Sequence, residues 1–243
     1  MKNLIIVLII SLPTLGFTQN MFLIEDMVST KDMSVNALII NMTDDFDEAV
    51  ANYKEFVKDG YELKVKKENN TTYVVEEVDL PHISVKRGDL KAYLFHTDSM
   101  NVMAFSFLLG YDVFLTSQDH PEEMAQFKKF VVDFMDFHYK AHYSVGINEQ
   151  TKALESLKKE LLKNETKISS LKKKVVSLAK KESKETDSTK KVEINAEKQL
   201  TQNEIDETVE LVTTMRVDVT SKEKEVYGLK DELNKCHLQI TSL

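Results

Sequence analysis

Two histidines near the middle of the chain have the spacing of a metal-binding pair. His138 and His142 lie four residues apart in the segment HYKAH, and on a helix this spacing places both imidazoles on one face. The glutamate of a zinc-protease HExxH motif is absent, because Tyr139 follows His138. A third ligand would have to come from a distant position such as His96. We therefore expect amphipathic packing residues here, and predict neither a metal centre nor another cofactor.

Cys236 is the only cysteine in the sequence, and His237 follows it. Adjacent residues on a helix point in different directions, so His237 is poorly placed to activate the thiol. No glycine-flanked serine nucleophile, CxxC pair, GxGxxG loop or P-loop occurs in the sequence. The sequence therefore predicts a protein without catalytic residues that is not an enzyme. The alternative is a hydrolase whose catalytic groups come from scattered positions.

The first eighteen residues are typical of an export signal. Lys2 gives a positive start, Leu4–Leu12 is apolar apart from one serine, and Pro13 breaks the run. The apolar run is about half the roughly 20 residues that a spanning helix needs, which predicts a signal peptide cleaved after Thr18. A retained anchor is the alternative, and only then do we expect membrane association. The sequence thus predicts an exported, periplasmic or extracellular protein, of bacterial origin.

The net charge of −8 is unevenly distributed along the chain. Residues 20–146 carry 12 basic and 22 acidic side chains, a net −10. Residues 147–184 carry 11 basic and 5 acidic side chains, a net +6, whereas residues 185–243 carry 8 and 13, a net −5. Because an acidic domain repels phosphate backbones, we predict that the protein does not bind nucleic acid.

Residues 19–143 have the pattern of a small α+β domain. An apolar run of strand length is followed by a helix that Asp44 can cap and Gly60 can end. Pro121 then opens a second helix that is apolar on one broad face. The order predicts a small antiparallel sheet covered by helices. The predicted strands are Ser34–Met42, a hairpin over 61–80, Leu90–His96, Val102–Leu109 and Tyr111–Thr116.

After this domain the apolar residues repeat every seven positions, which is typical of a coiled coil. The first arm covers 144–184, a polar interruption covers 185–191, and the second arm covers 192–243. Beside the apolar positions, Gln150, Asn164 and Lys222 fall on the predicted packing seam. The main seam residues are Leu154, Leu157, Leu161, Ile168, Leu171, Val175 and Leu178 in the first arm, and Val212, Met215, Val219, Val226, Leu229, Leu233 and Ile240 in the second.

The two arms are predicted to pair with each other as an antiparallel hairpin. Their heptads are out of phase, a polar gap separates them, and their net charges are opposite, which selects one arm for the other. The alternative is a parallel oligomer. In a parallel dimer, two Cys236 residues would face each other at a seam position and form an intermolecular disulfide. Otherwise Cys236 is a small apolar seam residue.

Two functions fit these features without catalysis. The first is an exported coiled-coil protein that mediates protein–protein interaction or envelope organisation, through a protein partner or self-association of the helical segment. The second is a periplasmic module that binds a small ligand or a cation between the sheet and its helices. Its candidate residues are Tyr93, His96, His138 and His142.

Overall fold

The protein is an α+β chain with a six-stranded antiparallel sheet and a long helical hairpin, as the sequence predicted. The computed structural model describes residues 21–30, 33–42, 46–96, 100–110 and 113–243. The predicted signal peptide lies outside these residues. The strands are β1 (Leu23–Ser29), β2 (Ser34–Met42), β3 (Lys66–Lys67), β4 (Thr72–Val78), β5 (Gly88–His96) and β6 (Asn101–Leu108), in the order β1-β2-β6-β5-β4-β3. The helices are α1 (Phe46–Tyr61), α2 (Pro121–Glu182) and α3 (Ser188–Thr241).

The chain divides into two compact units. The first, here called the sheet domain, contains the described residues up to Val132. The second, here called the helical hairpin, is Asp133–Thr241. Helix α2 belongs to both units, because it begins at Pro121 and crosses the boundary between Val132 and Asp133. It also continues past Tyr143, where the sequence pattern changes from a domain helix to heptads.

One face of the sheet is covered by α1 and by the first turns of α2. The register places Leu38, Phe105 and Ala92 side by side on this face. The Tyr53 ring of α1 meets the Phe105 ring edge-on, with centroids 5.5 Å apart. Phe127 of α2 packs against Phe107 at 6.1 Å. These rings are buried, so the face is a solid aromatic core.

Helix α1 ends two residues later than the sequence predicted. Gly60 and Tyr61 are still helical, and Glu62 takes the left-handed conformation after the helix, with φ 58°. The Glu62 N–H donates to the Lys58 carbonyl at 2.9 Å, and the Leu63 N–H donates to the Val57 carbonyl at 3.3 Å. The bond from Glu62 to Lys58, with Glu62 in the left-handed conformation, is the αL cap that satisfies one of the last carbonyls of a helix. The predicted hairpin over 61–80 is consequently shorter, with strands β3 and β4 only. The predicted cap Asp44 lies outside the described residues.

Two further strand predictions differ from the structure. Strand β1 was not predicted, although it pairs with β2 along its whole length. The predicted strand Tyr111–Thr116 does not form over residues 113–116, where Phe114 makes only an isolated bridge with Leu108; residues 111 and 112 lie outside the described part of the chain. The following residues turn toward α2, where the His120 N–H donates to the Thr116 carbonyl at 3.0 Å.

In the helical hairpin, α2 and α3 run antiparallel. Tyr143 lies beside Cys236, Asn164 beside Met215, and Lys174 beside Glu197. Positions that come later in α2 therefore meet positions that come earlier in α3. The heptads of the two arms are out of phase, but the arms fold back on each other, so their seams do not have to form one continuous stripe. Each arm needs a continuous seam only along its own length.

A tight turn of residues 183–187 joins the two helices. The Asp187 carboxylate accepts hydrogen bonds from the backbone N–H groups of Thr189 at 2.8 Å and Lys190 at 3.3 Å, which caps the start of α3. Lys180 and Lys181 lie in the last turn of α2, where cations favour the helix dipole. Helix α3 thus begins inside the segment that the sequence pattern assigned to the interruption.

Candidate functional site

Each of the three candidate metal-binding histidines contacts an aromatic ring. His138 is fully buried and lies against Tyr139, with centroids 5.2 Å apart. His142 meets the ring of Tyr143 at 5.1 Å. His96 is exposed and contacts Phe46 at 4.5 Å. In the part of the chain that the structure describes, no group of three or more metal-ligating side chains comes together.

Cys236 and His237 have contacts on different residues of α2. The Cys236 thiol is buried, and its Sγ lies 3.9 Å from the Tyr143 hydroxyl oxygen. The His237 Nδ1 lies 2.8 Å from Oδ1 of Asp136. The helix beside Cys236 is therefore α2 of the same chain, whereas the predicted intermolecular disulfide requires a parallel dimer.

Asp136 connects the last turns of α3 to α2. Its carboxylate accepts hydrogen bonds from His237 and from Lys140. Partial burial opposes ionisation of Asp136, but the hydrogen bonds and charges of Lys140 and His237 outweigh it, so the pKa of the carboxyl lies below its ordinary value. The ionised Asp136 carboxylate therefore links α2 to the last turns of α3, and we call this contact the Asp136 clamp.

A polar cluster that the sequence did not reveal joins β1 to the start of α2. The Glu25 carboxylate accepts hydrogen bonds from the Ser117 N–H at 2.7 Å, from the Ser117 hydroxyl and from the Asn36 amide at 3.1 Å. The Lys128 ammonium lies 3.3 Å from the Ser117 hydroxyl and 3.7 Å from Glu25. Glu25 and Ser117 are 92 residues apart, so no local motif marks the cluster.

Ser117 lies beside the Glu25 carboxylate and the Lys128 ammonium. A serine nucleophile in an active site can have neighbours of these two types. Burial raises the pKa of Glu25, but the Ser117 and Asn36 hydrogen bonds and the Lys128 charge lower it by more, and the net shift is downward. A carboxylate of lowered pKa is a weak base, and its oxygens already accept three hydrogen bonds. The arrangement therefore anchors the loop before α2 to the sheet and does not activate Ser117.

The second face of the sheet, opposite α1, carries a hollow of ≈ 710 Å³. Tyr93 and Phe95 lie in its lining, with their rings stacked 6.3 Å apart, and the Tyr93 hydroxyl is 3.3 Å from Ser106 Oγ. Lys91 and Glu68 form an ion pair at 3.1 Å at its side. The lining is Ser29, Thr30, Met33, Glu68, Asn69, Asn70, Thr71, Thr72, Lys91, Tyr93 and Phe95.

The position of this hollow corrects the expected ligand site. From the sequence, Tyr93 was expected to lie in a pocket between the sheet and its helices. The structure fills that interface with phenylalanine and methionine side chains, such as Phe105 and Met124, and places Tyr93 on the other face. His96 is absent from the described lining of the hollow.

The seam residues of the hairpin are less exposed than their neighbours in both arms. Most seam positions of α3 are buried, whereas most of those of α2 are half-buried. Thr201 is also buried, seven residues before the buried Thr208 and thus on the same seam, and its hydroxyl donates to the Glu197 carbonyl at 2.8 Å. The buried predicted seam residues are Leu178, Val212, Met215, Val219, Val226, Cys236 and Ile240; the half-buried ones are Leu154, Leu157, Leu161, Ile168, Leu171, Val175, Leu229 and Leu233.

The polar seam residues have partners across the hairpin. The Lys222 ammonium donates to the Gln150 side-chain oxygen at 2.8 Å and pairs with Glu225 at 2.6 Å. The Asn164 amide contacts the Met215 sulfur at 3.5 Å. Polar residues at single seam positions fix the register of paired helices at a cost in stability.

Ion pairs flank the seam, and in most of them α2 supplies the cation and α3 the anion, as the net charges of the arms predicted. Lysines of α2 meet glutamates of α3 in the pairs Lys158–Glu223, Lys167–Glu204 and Lys174–Glu197, at 2.6–2.8 Å. Two pairs run the other way, Arg216–Glu165 and Lys198–Glu182. Pairs of this exposure select a partner more than they stabilise it.

No family model, curated protein or solved structure matches this chain. Among the described helices, none contains a stretch apolar enough to cross a bilayer.

Proposed function

We propose that this protein is exported and acts without catalysis, as an interaction protein whose helical hairpin presents preformed helical surfaces. The observation that carries the proposal is that the apolar seam of each arm is covered by the other arm. A seam that is already covered is not available to a second chain, so partners would meet the outer faces of α2 and α3. Each arm is about 75–80 Å long at 1.5 Å per residue, which is a large surface for a chain of 243 residues.

The contacts within the hairpin support a rigid arm. Its seam is continuous from the turn at 183–187 to the last turns of α3, where Cys236 and Ile240 are buried. Asp136 and His237 connect the two helices at the end remote from the turn. A surface that is ordered before binding loses less conformational entropy when a partner docks.

Export is tested by the mass and location of the protein in a bacterial host. We expect the exported chain to begin at Gln19, and a variant without residues 2–18 to stay inside the cell. Light scattering should then give the mass of one chain with or without reductant. A dimer that reductant separates would contradict the closed hairpin and restore the disulfide through Cys236.

Partner binding is tested by photo-crosslinking in intact cells. A photoreactive residue replaces Val217 or Tyr227, which are exposed on α3, with the buried Val212 as the matched control position. We expect discrete adducts from the exposed positions only, and their loss in a variant that carries Val219→Asp in the seam. Adducts from Val212 alone, or equal yields in the seam variant, would contradict the proposal.

A second candidate function is binding of a small polar ligand in the hollow beside Tyr93. Its volume is within the roughly 300–1,000 Å³ of known ligand sites, and its lining combines stacked rings, amides, hydroxyls and one ion pair. We would titrate mono- and disaccharides against tyrosine fluorescence. Asn70→Ala at the hollow should weaken a response, and Asn203→Ala on the outer side of α3 should not. Equal effects of the two variants would exclude the hollow.

A further inference from the structure

The outer side of α2 carries a line of lysines that the hairpin does not use. In the heptads of the first arm, Lys152, Lys159, Lys173 and Lys180 occupy the position opposite the seam, and Lys163 and Lys184 lie beside them. We call these six residues the lysine stripe. All six are exposed. The five that lie in α2 follow one side of the helix over about 42 Å, and Lys184 lies in the turn just past the end of the helix.

The lysine stripe is distinct from the lysines that hold the arms together. Lys158, Lys167 and Lys174 flank the seam and pair with glutamates of α3. Within the described part of the chain, none of the six stripe lysines forms an ion pair. Glu149 and Glu155 are the only acids on this outer side between residues 148 and 184, so its net charge is +4.

The outer side of α3 has the opposite character. Glu193, Asp206, Glu207 and Glu210 are exposed there. The charge separation of the arms therefore continues beyond their contact, onto surfaces that do not face each other. Charges that serve only to direct the pairing of the two arms are required only at positions that flank the seam. The charges on the outer sides therefore have no role in that pairing.

Two exposed aliphatic side chains lie beside the lysine stripe. Leu162 and Val176 are 64% and 55% exposed, and they are fourteen residues apart, on the same side of the helix. The residues between them on this side include Ser169 and Ser170, which are small. Cations with interspersed aliphatic groups suit a surface that is negatively charged outside and apolar just beneath.

We propose that the lysine stripe binds the headgroups of an anionic phospholipid surface, with α2 lying along that surface. The first arm contains no arginine, so it lacks the planar donor used for bidentate recognition of single phosphates. Ammonium groups on flexible stems fit a field of dispersed phosphates. The exposed Leu162 and Val176 favour a bilayer over a nucleic acid or a polysaccharide, which offer no apolar layer at that depth.

The test uses the full chain from Gln19 and vesicles of phosphatidylcholine with 0–40% phosphatidylglycerol in a sedimentation assay. We expect binding that grows with the phosphatidylglycerol fraction and falls with added salt. Lys152, Lys159, Lys173 and Lys180 are then changed together to Gln. At roughly 1 kcal/mol for each lysine near such a surface, the loss of four lysines should lower the affinity by about 1,000-fold.

A matched variant controls for net charge. Lys64→Gln, Lys67→Gln, Lys86→Gln and Lys224→Gln remove the same charge from exposed positions outside the stripe, and should lower the affinity less than about 3-fold if each distant charge contributes little. Circular dichroism should show unchanged helix content in both variants. Equal losses in the two variants would overturn the proposal.

The aliphatic residues separate a lipid surface from other polyanions. Leu162→Ser with Val176→Ser should weaken vesicle binding several-fold and leave any binding to heparin or duplex DNA unchanged. Binding to heparin or DNA without binding to anionic vesicles would overturn the proposal, as would vesicle binding that the serine variant does not change.

Discussion

The sheet domain and the helical hairpin bury their apolar side chains in different ways. The domain has a three-dimensional core, where Phe105 is enclosed by α1, the sheet and neighbouring rings. The hairpin has a single line of contact, along which residues such as Leu161 stay half-buried. A core concentrates stability in a few large side chains, whereas a seam spreads it over many small contributions. The two regions should therefore respond differently to the same type of substitution.

The largest effect is expected from Phe105→Ala in the sheet domain. Removing a fully buried ring leaves a cavity and should lower the free energy of unfolding by about 3–5 kcal/mol. Hydrogen exchange followed by mass spectrometry would show faster exchange in the strands. Leu162→Ala, at an exposed position of the hairpin, should change neither region. Strand exchange that stays as slow as in the parent protein would contradict a core centred on Phe105.

A smaller effect is expected in the seam from Ile205→Ala. Ile205 is 4% exposed, and the loss should be about 2 kcal/mol, at the lower end for such a change, because a two-helix seam can partly close around the gap. Leu211→Ala is the control on the same helix, since Leu211 is 44% exposed. Similar losses for both variants, measured by urea unfolding, would mean that the seam is not where α3 buries its residues.

The polar contact between Gln150 and Lys222 should oppose stability. Replacing both by Leu makes this layer of the seam apolar, which should stabilise the hairpin by about 1 kcal/mol and relax its register. We expect a higher melting temperature together with new oligomers in light scattering. The control Lys224→Leu changes an exposed residue of α3 on the side opposite the seam and should not raise the melting temperature. A fall in melting temperature for the double variant would show that the polar pair stabilises the hairpin.

The Asp136 clamp should make one end of the hairpin sensitive to acid. Since its pKa is lowered in the folded chain, its stabilising contribution is fully present above the ordinary aspartate pKa of about 3.9 and is lost as the pH falls through the lower folded value. Hydrogen exchange near His237 should quicken in that range while the seam near Val212 stays protected. Asp136→Asn should exchange faster at neutral pH and lose most of the pH dependence.

The smallest effect is expected from the exposed ion pair Lys167–Glu204. A double-mutant cycle with Lys167→Gln and Glu204→Gln should give a coupling of about 0.5 kcal/mol or less, because both side chains are about half exposed. The coupling should disappear at 1 M salt. A coupling above about 1 kcal/mol would mean that the arms are held by charge as well as by the seam.

The sequence predicted the hairpin better than the sheet, for physical reasons. Heptads repeat over many turns, so one exposed or polar seam residue such as Asn164 does not hide the pattern. Strand β1 has no such repetition: it is a short edge strand with Glu25 and Asp26 at its centre, and its exposed Ile24 resembles a loop residue. Helix α1 was predicted to end at Gly60 because glycine tolerates a left-handed conformation, but Glu62 adopts it here.

The candidate sites were harder to predict than the fold. The cluster around Glu25 forms between residues that are distant in the chain, and Lys128 joins it only because α2 packs on the sheet. Tyr93 was singled out by the sequence, but the face on which it lies depends on the strand register. The lysine stripe was visible in the sequence as an excess of positive charge. Its separation from the seam lysines becomes clear only with the ion pairs across the hairpin.

The capped turn of residues 183–187 has a consequence for how the length of this chain can change during evolution. Because the turn uncouples the two heptad phases, seven residues can be inserted on each side of it without disturbing contacts at the opposite end of the hairpin, such as Cys236 with Tyr143. Each such paired duplication would extend the hairpin by about 10.5 Å. An insertion in one arm alone would leave a heptad without a partner. Related chains of different length should therefore differ by matched multiples of seven, placed symmetrically about Asp187.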